Sequence, residues 1–510
     1  MVESTDHPPE GETDGGRSLR VISQGASLHF GGKIASNLLK FVLNLLLTRM
    51  LGSALYGVYT YANTLAGFFM VLARLGTGKS ILRFLPANVD DPARQNWITA
   101  MAYLTALVSS VLIGGVIFVF APLINELTLG QSELVVALRI FAIALPFNTA
   151  INLTNAIFRG LERLDFQIII KDFTEPVLRI IAVGFAFALG YSLVGVVAAT
   201  AIGAVLTVSV ALSILYSQTD IRPTGARSSG SVREFYNFSL PLTLKDLGRK
   251  LYTRVDILMV GLFLSGSSVG IYRVSILLSS FLTLPLSGIN QLFPPIASNL
   301  HSNGERDELE DVFQTITRWT FTIVIPPALA LVVFSHEALQ IFGDGFSGGS
   351  SVLILFAVAQ FTNCAVGPSG FLLMMTDHQY VNLANQWTLG LSNLILNYLF
   401  ILQFGFVGVA VATAGSLIAI NVVRVIEVWY LEGITPYSSS FLKPIGAGII
   451  SAPAMTAWTF ALSGYPLLFI GSASGLIVFA TAMVLFGFED KDKEFYAENV
   501  APLVDRMIER

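Results

Sequence analysis

The chain has 510 residues, of which 54% are hydrophobic and only 13% are charged. A soluble chain usually carries about 25% charged residues, so this composition excludes an ordinary soluble protein and indicates one embedded in a membrane. The net charge of −4 gives no reason to expect a nucleic-acid partner, and the single cysteine, Cys364, excludes an intrachain disulfide.

Apolar runs of about 20 residues, each long enough to cross a bilayer, recur from Phe30 to Phe488. We count about fourteen of them, which predicts an all-α, polytopic membrane protein. The five histidines are scattered and form no ligand pair, so no metal site is expected. Residues 73–80 (ARLGTGKS) resemble a phosphate-binding loop, but no strand precedes them, so no cofactor is expected either.

The chain repeats itself at an offset of 213 residues. Gly57-Val58-Tyr59 matches Gly270-Ile271-Tyr272, and VGVVAATA at 194–201 matches VGVAVATA at 407–414. Two matches at one offset predict two homologous six-helix lobes. The offset preserves the side from which each helix enters, so the repeat is parallel, with its axis along the membrane normal. Two C-terminal helices follow the second lobe.

Lysine and arginine concentrate in alternate loops, which by the positive-inside rule places both termini in the cytoplasm and the protein in the cytoplasmic membrane. The predicted organisation is, in chain order, a disordered cytoplasmic tail (1–28), an N-lobe of helices 1–6 (29–217), a cytoplasmic linker (218–236), a C-lobe of helices 7–12 (237–431), helices 13 and 14 (441–487) and a cytoplasmic C-terminal tail (488–510).

The first apolar helix carries a polar stripe. Lys33, Asn37, Lys40 and Asn44 fall at i, i+4, i+7 and i+11, on one face of a helix. A cation at the bilayer centre costs ~2.5–3.5 kcal/mol, so such residues normally face a water-filled cavity or a partner. The stripe therefore predicts a transporter with a polar or anionic substrate.

Helix 7 is the most charged span, with Lys245, Asp246, Arg249, Lys250, Arg254 and Asp256. These residues form either an internal ladder of ion pairs or the cationic wall of a substrate cavity, and the net positive charge favours the wall. On helix 5, the i, i+4 spacing of Lys171, Glu175 and Arg179 favours structural ion pairs. If a coupling proton or sodium ion binds, the candidates are Asp172, Glu175, Asp246 and Asp256, and the sequence does not choose among them.

Other intramembrane polar residues have ordinary explanations. Arg74 lies near a helix end, where its side chain could reach the headgroups. Asn148 and Asn152 on helix 4, like Asn393 and Asn397 on helix 11, could bind sugars or could equally bond between helices. No catalytic set of residues stands out, so an enzyme is not expected.

Residues 46–86 contain four short motifs in order, namely Leu51-Gly52, Tyr56-Gly57-x-Tyr59, Leu75-Gly76 and Arg83-Phe84. This segment resembles the opening of oligosaccharide flippases of the polysaccharide transporter family, O-antigen-type exporters of the multidrug/oligosaccharidyl-lipid/polysaccharide superfamily. The resemblance implies two lobes around a V-shaped cavity, alternating access, and a glycan carried on a polyprenyl or dolichyl (pyro)phosphate. In similar proteins, cations of the first helix of each lobe line the cleft, a role that Lys33, Lys40, Arg249 and Arg254 match by helix and depth.

The sequence thus predicts a flippase for a lipid-linked oligosaccharide, which serves surface polysaccharide or glycoprotein assembly. The expected substrate-binding residues are Lys33, Asn37, Lys40, Asn44, Lys245, Arg249, Lys250 and Arg254. A cation-coupled multidrug exporter of the same superfamily is the alternative, and a membrane-embedded glycan polymerase is a third hypothesis. The expected partners are the lipid-linked substrate, membrane lipids and a coupling ion, and the sequence is compatible with a monomer.

Overall fold

The computed structural model describes residues 14–223 and 232–487 together with Glu489 and Asp492, without the side chains of residues 14–34, 251 and 252. This part of the chain contains helices and no strand, which confirms the all-α fold. The α-helices are α1 Asp14–Arg74, α2 Thr77–Phe84, α3 Pro92–Glu126, α4 Ser132–Gly160, α5 Leu164–Ile168, α6 Glu175–Ala188, α7 Leu193–Gln218, α8 Val232–Phe263, α9 Gly266–Ser280, α10 Leu284–Asn303, α11 Arg306–Val333, α12 Ser335–Gln340, α13 Ser350–Ala365, α14 Ser369–Met375, α15 Gln379–Glu432, α16 Leu442–Ala457 and α17 Gly464–Phe486.

Nine helical segments in the described part are long and apolar enough to cross a membrane, so the protein is a multi-pass membrane protein. Two of these segments reverse at a glycine, α1 at Gly52 (φ 70°, ψ 174°) and α15 at Gly405 (φ 57°, ψ −131°). Glycine adopts such positive φ values without the steric cost that a Cβ imposes. Each of these two segments therefore counts as two spans, which raises the number from nine to eleven. Three further helical regions, α5–α6, α8 and α16, are more charged or shorter, and with them the described helices are consistent with fourteen spans.

The helix boundaries differ from the expected domain boundaries at two places. Helix α1 begins at Asp14, so residues 14–28 are helical although they were expected to belong to a disordered tail. No proline occurs between Asp14 and the reversal at Gly52, so the helix can extend towards the N-terminus beyond the apolar run. Helix α8 begins at Val232, inside the predicted linker. Residues 1–13, residues 224–231 and the C-terminal tail apart from Glu489 and Asp492 lie outside the described residues.

The two halves of the chain meet where α1, after its reversal, packs against α9. A Cβ on Gly57 would overlap the backbone of Gly266, and a Cβ on Gly270 would overlap the carbonyl of Ser53. The hydroxyls of Ser53 and Ser267 lie 2.9 Å apart across this contact. Small residues allow such backbone contact between membrane helices. Because Gly57 and Gly270 are equivalent in the repeat, the contact is consistent with two lobes related by a parallel repeat.

A second contact joins α8 to α2 and to the turn that precedes it, just beyond the end of α1. A Cβ on Gly76 would overlap the carbonyl of Ser239 in α8. The Ser80 hydroxyl donates a hydrogen bond to the carbonyl of Phe235, 3.3 Å away. Since α1 runs for 22 residues between Ser53 and Arg74, about 33 Å at the helical rise, the two contacts lie at opposite ends of the bundle.

Helices α16 and α17 pack on α11 through an apolar cluster that includes Phe321, Phe441 and Phe479. Beyond α17, Arg318 of α11 donates two hydrogen bonds of 2.7 Å to the Asp492 carboxylate. Burial opposes ionisation of this carboxyl, but hydrogen bonds from Arg318 and Trp319 outweigh burial and lower the pKa of Asp492. The contact fastens the chain after α17 to the helix bundle.

Candidate functional site

A cavity of about 790 Å³ lies between the two contacts, among α1, α4, α5–α6, α7 and α8. Ligand sites of small molecules commonly occupy 300–1,000 Å³, so this volume can accept a substrate rather than only solvent. Its lining is rich in polar and charged side chains. These are Asn63, Arg74, Asn148, Asn152, Lys171, Glu175, Arg179, Thr200, Asp246, Arg249, Lys250, Thr253 and Arg254.

The charges of the lining are predominantly positive. Six cations and two carboxylates give a net charge of +4. Both carboxylates are already paired, Glu175 with Arg179 at 3.2 Å and Asp246 with Arg249 at 3.8 Å. The other four cations have no ion-pair partner within 4 Å in the described part of the chain. These are Arg74, Lys171, Lys250 and Arg254.

Helix α8 contributes one wall because its polar residues share a face. Asp246, Arg249, Lys250, Thr253 and Arg254 are spaced at i, i+3, i+4, i+7 and i+8, which aligns their side chains along one stripe. The sequence analysis selected three cations of this wall, Arg249, Lys250 and Arg254.

The fourth predicted cation of α8, Lys245, is exposed and is not among the described residues that line the cavity. Gly67 of α1 leaves space for the neighbouring Lys250, since a Cβ at this glycine would approach the ammonium nitrogen to 3.0 Å. The end of the Lys250 side chain therefore packs directly against the backbone of α1 at Gly67.

The predicted stripe of the first helix does not line this cavity. Asn37, Lys40 and Asn44 lie in the part of α1 before Gly52, whereas the cavity borders the part after Gly52. The side chain of Lys33 is not among those that the structure describes. Asn44 instead accepts a 2.7 Å hydrogen bond from the hydroxyl of Tyr56 and donates one of 2.6 Å to the carbonyl of Lys40. Asn44 thus joins the two sides of the reversal at Gly52.

The α5–α6 region supplies the opposite wall, with Lys171, Glu175 and Arg179. A π-helical segment, Ile169–Thr174, separates α5 from α6. Pro176 follows it and has no N–H to donate to the preceding turn, and π-helical turns are frequent at functional sites. Asp172, one of the coupling-ion candidates, lies in this segment, is buried and does not line the cavity.

Several residues that line the cavity were not expected from the sequence to do so. Arg74 was assigned to the headgroup region, yet it lines the cavity and its Nη1 donates a 3.4 Å hydrogen bond to Asn152. Asn148 and Asn152 were left undecided, and both line the cavity together with Asn63. One available signal was the spacing of Asn63, Gly67 and Arg74, which lie close to one helical face.

Asp256, a coupling-ion candidate, is buried outside the cavity in a polar cluster. Its carboxylate accepts hydrogen bonds from the backbone N–H of the next residue, at 2.8 Å, and from the Tyr272 hydroxyl, at 3.0 Å. The Tyr272 hydroxyl lies 3.3 Å from that of Thr413, to which Asn393 donates at 3.1 Å, and Asn397 donates to Asn393 at 2.9 Å. These side chains come from α8, α9 and both parts of α15.

Comparisons with known proteins agree with this architecture. A probable low-salt glycan biosynthesis flippase, Agl15 of Haloferax volcanii, is 29% identical over 50% of this chain, and the match spans only 55% of Agl15. The probable flippase AglR of the same organism is 24% identical over 88% of this chain and 91% of its own length. The solved structure of the lipid II flippase MurJ in an inward closed conformation has a TM-score of 0.72 at 16% identity, covering 90% of this chain and 98% of MurJ.

These relatives are named flippases, which confirms the expectation of a transporter rather than an enzyme. The family model of the MatE transporters matches residues 241–399, in agreement with the predicted superfamily. The family model of the polysaccharide biosynthesis proteins matches residues 22–300, more than half of the sequence. The chain therefore belongs to the polysaccharide biosynthesis protein family.

Proposed function

We propose that the protein translocates a lipid-linked oligosaccharide across the cytoplasmic membrane by alternating access, with both termini in the cytoplasm. The observation that carries this proposal is the cavity of net charge +4, which lies among membrane-spanning helices and contains four cations without an ion-pair partner in the described chain. Cations at this depth require water or an anion. A glycan on a phosphate-bearing lipid supplies that anion.

Arg74, Lys250 and Arg254 would hold the lipid phosphate by charge-assisted hydrogen bonds, which are the stronger class of hydrogen bond in proteins. The amides of Asn148 and Asn152 on the facing helix would receive sugar hydroxyls. The lipid tail would stay in the bilayer, because the hydrocarbon there already solvates it and the tail would gain nothing from entering the polar cavity.

Translocation would follow from alternate opening of the two contacts that bound the cavity. Separation at Gly76 and Ser239 would admit the headgroup from the cytoplasm, and separation at Gly57 and Gly266 would release it on the outer side. Backbone-to-backbone contacts between helices either close fully or part, since packed interfaces are bistable rather than continuously deformable.

Asp256 is the coupling-ion site that the contacts favour. Of the four candidates, Glu175 and Asp246 already pair with arginines, and Asp172 is buried without a side-chain hydrogen bond among the described residues. Asp256 alone of the four receives hydrogen bonds from neutral groups, the Tyr272 hydroxyl and a backbone N–H. A buried carboxylate without an ion pair within 4 Å gains from binding a proton or a metal cation. The Tyr272 hydroxyl, which contacts both Asp256 and the Thr413 hydroxyl, would be a further oxygen ligand for a sodium ion.

A cation-coupled multidrug exporter remains the competing hypothesis within the superfamily, supported by the MatE match. Its cargo is usually cationic, and a cavity of net charge +4 repels a cation. The glycan polymerase hypothesis has no comparable support, since the relatives carry flippase names.

The test is binding of a polyprenyl phosphate-linked oligosaccharide to the purified protein in lipid nanodiscs. Arg254→Gln should weaken binding by about 1.5–3 kcal/mol, or roughly 10- to 150-fold, the contribution of a hydrogen bond to a charged group. Lys245→Gln is the matched control, because Lys245 lies on the same helix but outside the cavity lining, and it should bind like the wild type. Equal affinity of all three proteins, or tighter binding of a cationic dye than of the phosphate, would refute the proposal.

A further inference from the structure

The cavity carries more positive charge than a lipid phosphate can neutralise. Its lining has a net charge of +4, whereas a glycosyl phosphodiester carries one negative charge and a diphosphate carries two. Behind the walls, Lys40 and Asp172 carry opposite charges, as do Arg273 and Asp256, so these residues add no net charge, although Asp256 also interacts with Arg254 of the lining. A surplus of like charges in one cavity is unfavourable, and more so when a bound headgroup displaces the water that solvates them, so further negative charge is expected in the loaded cavity.

The cations form two separate groups. On the α1 and α8 side, Lys250 interacts electrostatically with Arg74, Arg249 and Arg254. That group matches a single phosphate or diphosphate, whose charge is concentrated in one place. Lys171 belongs to the other group.

On the α5–α6 side, Lys40 interacts electrostatically with Asp172, Glu175, Lys171 and Arg179, so these charges lie in one group. Arg179 is engaged by Glu175 at 3.2 Å, and Asp172 is buried outside the cavity lining. The Lys171 side chain is exposed, lines the cavity, and has no hydrogen bond or ion pair among the described residues. One cation on this wall is therefore available to a second anionic group.

The local backbone supports a binding role for Lys171. It lies in the π-helical segment Ile169–Thr174, directly before the turn that contains Pro176. Such a segment inserts an extra residue into a helix turn and so rotates the side chains that precede it relative to those that follow. Lys171, Glu175 and Arg179 all line the cavity across this segment, at positions i, i+4 and i+8.

We infer that the cargo carries, besides its lipid phosphate, at least one acidic group on the glycan, a carboxylate or a sulfate, and that Lys171 is the residue that receives it. The inference rests on the proposed function and adds to it the class of sugar. A neutral glycan leaves the charge of the α5–α6 wall unbalanced, whereas an acidic sugar balances it and gains a charge-assisted hydrogen bond.

The experiment compares two synthetic ligands, a polyprenyl phosphate that carries a glucuronate-containing disaccharide and the same lipid with glucose in place of the glucuronate. Dissociation constants are measured with the intact protein in nanodiscs. The wild type should bind the acidic ligand at least about 10-fold more tightly. Lys171→Gln should remove that preference, so that the ligand with glucuronate loses more affinity than the ligand with glucose, whose only charge is on the lipid phosphate. Lys171→Arg, which keeps the charge, should retain the preference.

Arg254→Gln is the matched comparison, since it should weaken both ligands by a similar factor. Equal affinity of the wild type for both ligands would overturn the inference and leave the proposed flippase intact, as would a preference that survives Lys171→Gln. If neither ligand binds, the proposed function fails and the inference fails with it. A replacement of glucuronate by a sulfated sugar distinguishes the two kinds of acidic group.

Discussion

The contact between α1 and α9 should control closure of one end of the cavity, and Gly57→Ala tests this role. A Cβ at Gly57 would overlap backbone atoms of both Gly266 and Gly270. Backbone atoms cannot rotate away as a flexible side chain can, so the helices must separate. Overpacking of this kind costs about 1–3 kcal/mol, which shifts a closed-to-open equilibrium roughly 5- to 150-fold towards the open form.

Closure can be measured by disulfide formation between Ser53→Cys and Ser267→Cys, whose hydroxyl oxygens lie 2.9 Å apart. The protein has one native cysteine, Cys364, so a Cys364→Ala background leaves only the introduced pair. The cross-link should form readily in this background and should stop translocation until it is reduced. Gly57→Ala should lower the extent of cross-linking by the factor given above.

Gly115→Ala is the matched control, because Gly115 also lies within a helix but a Cβ there would have no neighbour within 4 Å. Alanine is favoured over glycine in a helix by about 0.5–1 kcal/mol, so this variant should be neutral or more stable. Cross-linking that is unaffected by Gly57→Ala, or reduced equally by Gly115→Ala, would refute the assignment of this contact as a closing surface.

Two further predictions concern buried carboxylates. Asp256→Asn should abolish the dependence of transport on a sodium or proton gradient while cargo binding in nanodiscs persists, and unchanged gradient dependence would contradict the coupling role. Asp492→Asn removes the negative charge from a buried ion pair in which the Arg318 side chain is 8% exposed and the Asp492 side chain 15%. Because Arg318 then stays buried without a counter-charge, the contact between Asp492 and α11 should lose about 3–5 kcal/mol of stability. Glu489→Gln is its control, since the pair with Lys443 is about one-third exposed and contributes about 0–1 kcal/mol. The pKa of Asp492 is lowered in the folded state, so its contribution is complete above the unfolded value of about 3.9 and disappears as the pH falls through the folded value. Thermal melts in detergent at pH 7 and below pH 4 measure both effects.

The sequence alone was sufficient to predict the properties that depend on whether a segment lies in lipid or in water. A lipid bilayer requires long apolar helices, so the hydropathy of the sequence predicted the all-α membrane fold. The observed helices are consistent with the expected number of about fourteen spans. Charges within such helices are costly, so the sequence also indicated that Arg249, Lys250 and Arg254 face a polar environment, and all three line the cavity. The spacing of residues along one helix is a local property, and the structure preserves it.

The tertiary structure decided which helices meet. The reversal at Gly52 directs the cavity to the part of α1 that contains Arg74, whereas Asn44 serves the reversal itself through Tyr56. Which cations stay unpaired depends on distances between side chains, and the π-helical segment that presents Lys171 depends on how the turn before Pro176 packs. These outcomes are set by contacts between residues far apart in the chain, for which a single sequence contains no periodic signal.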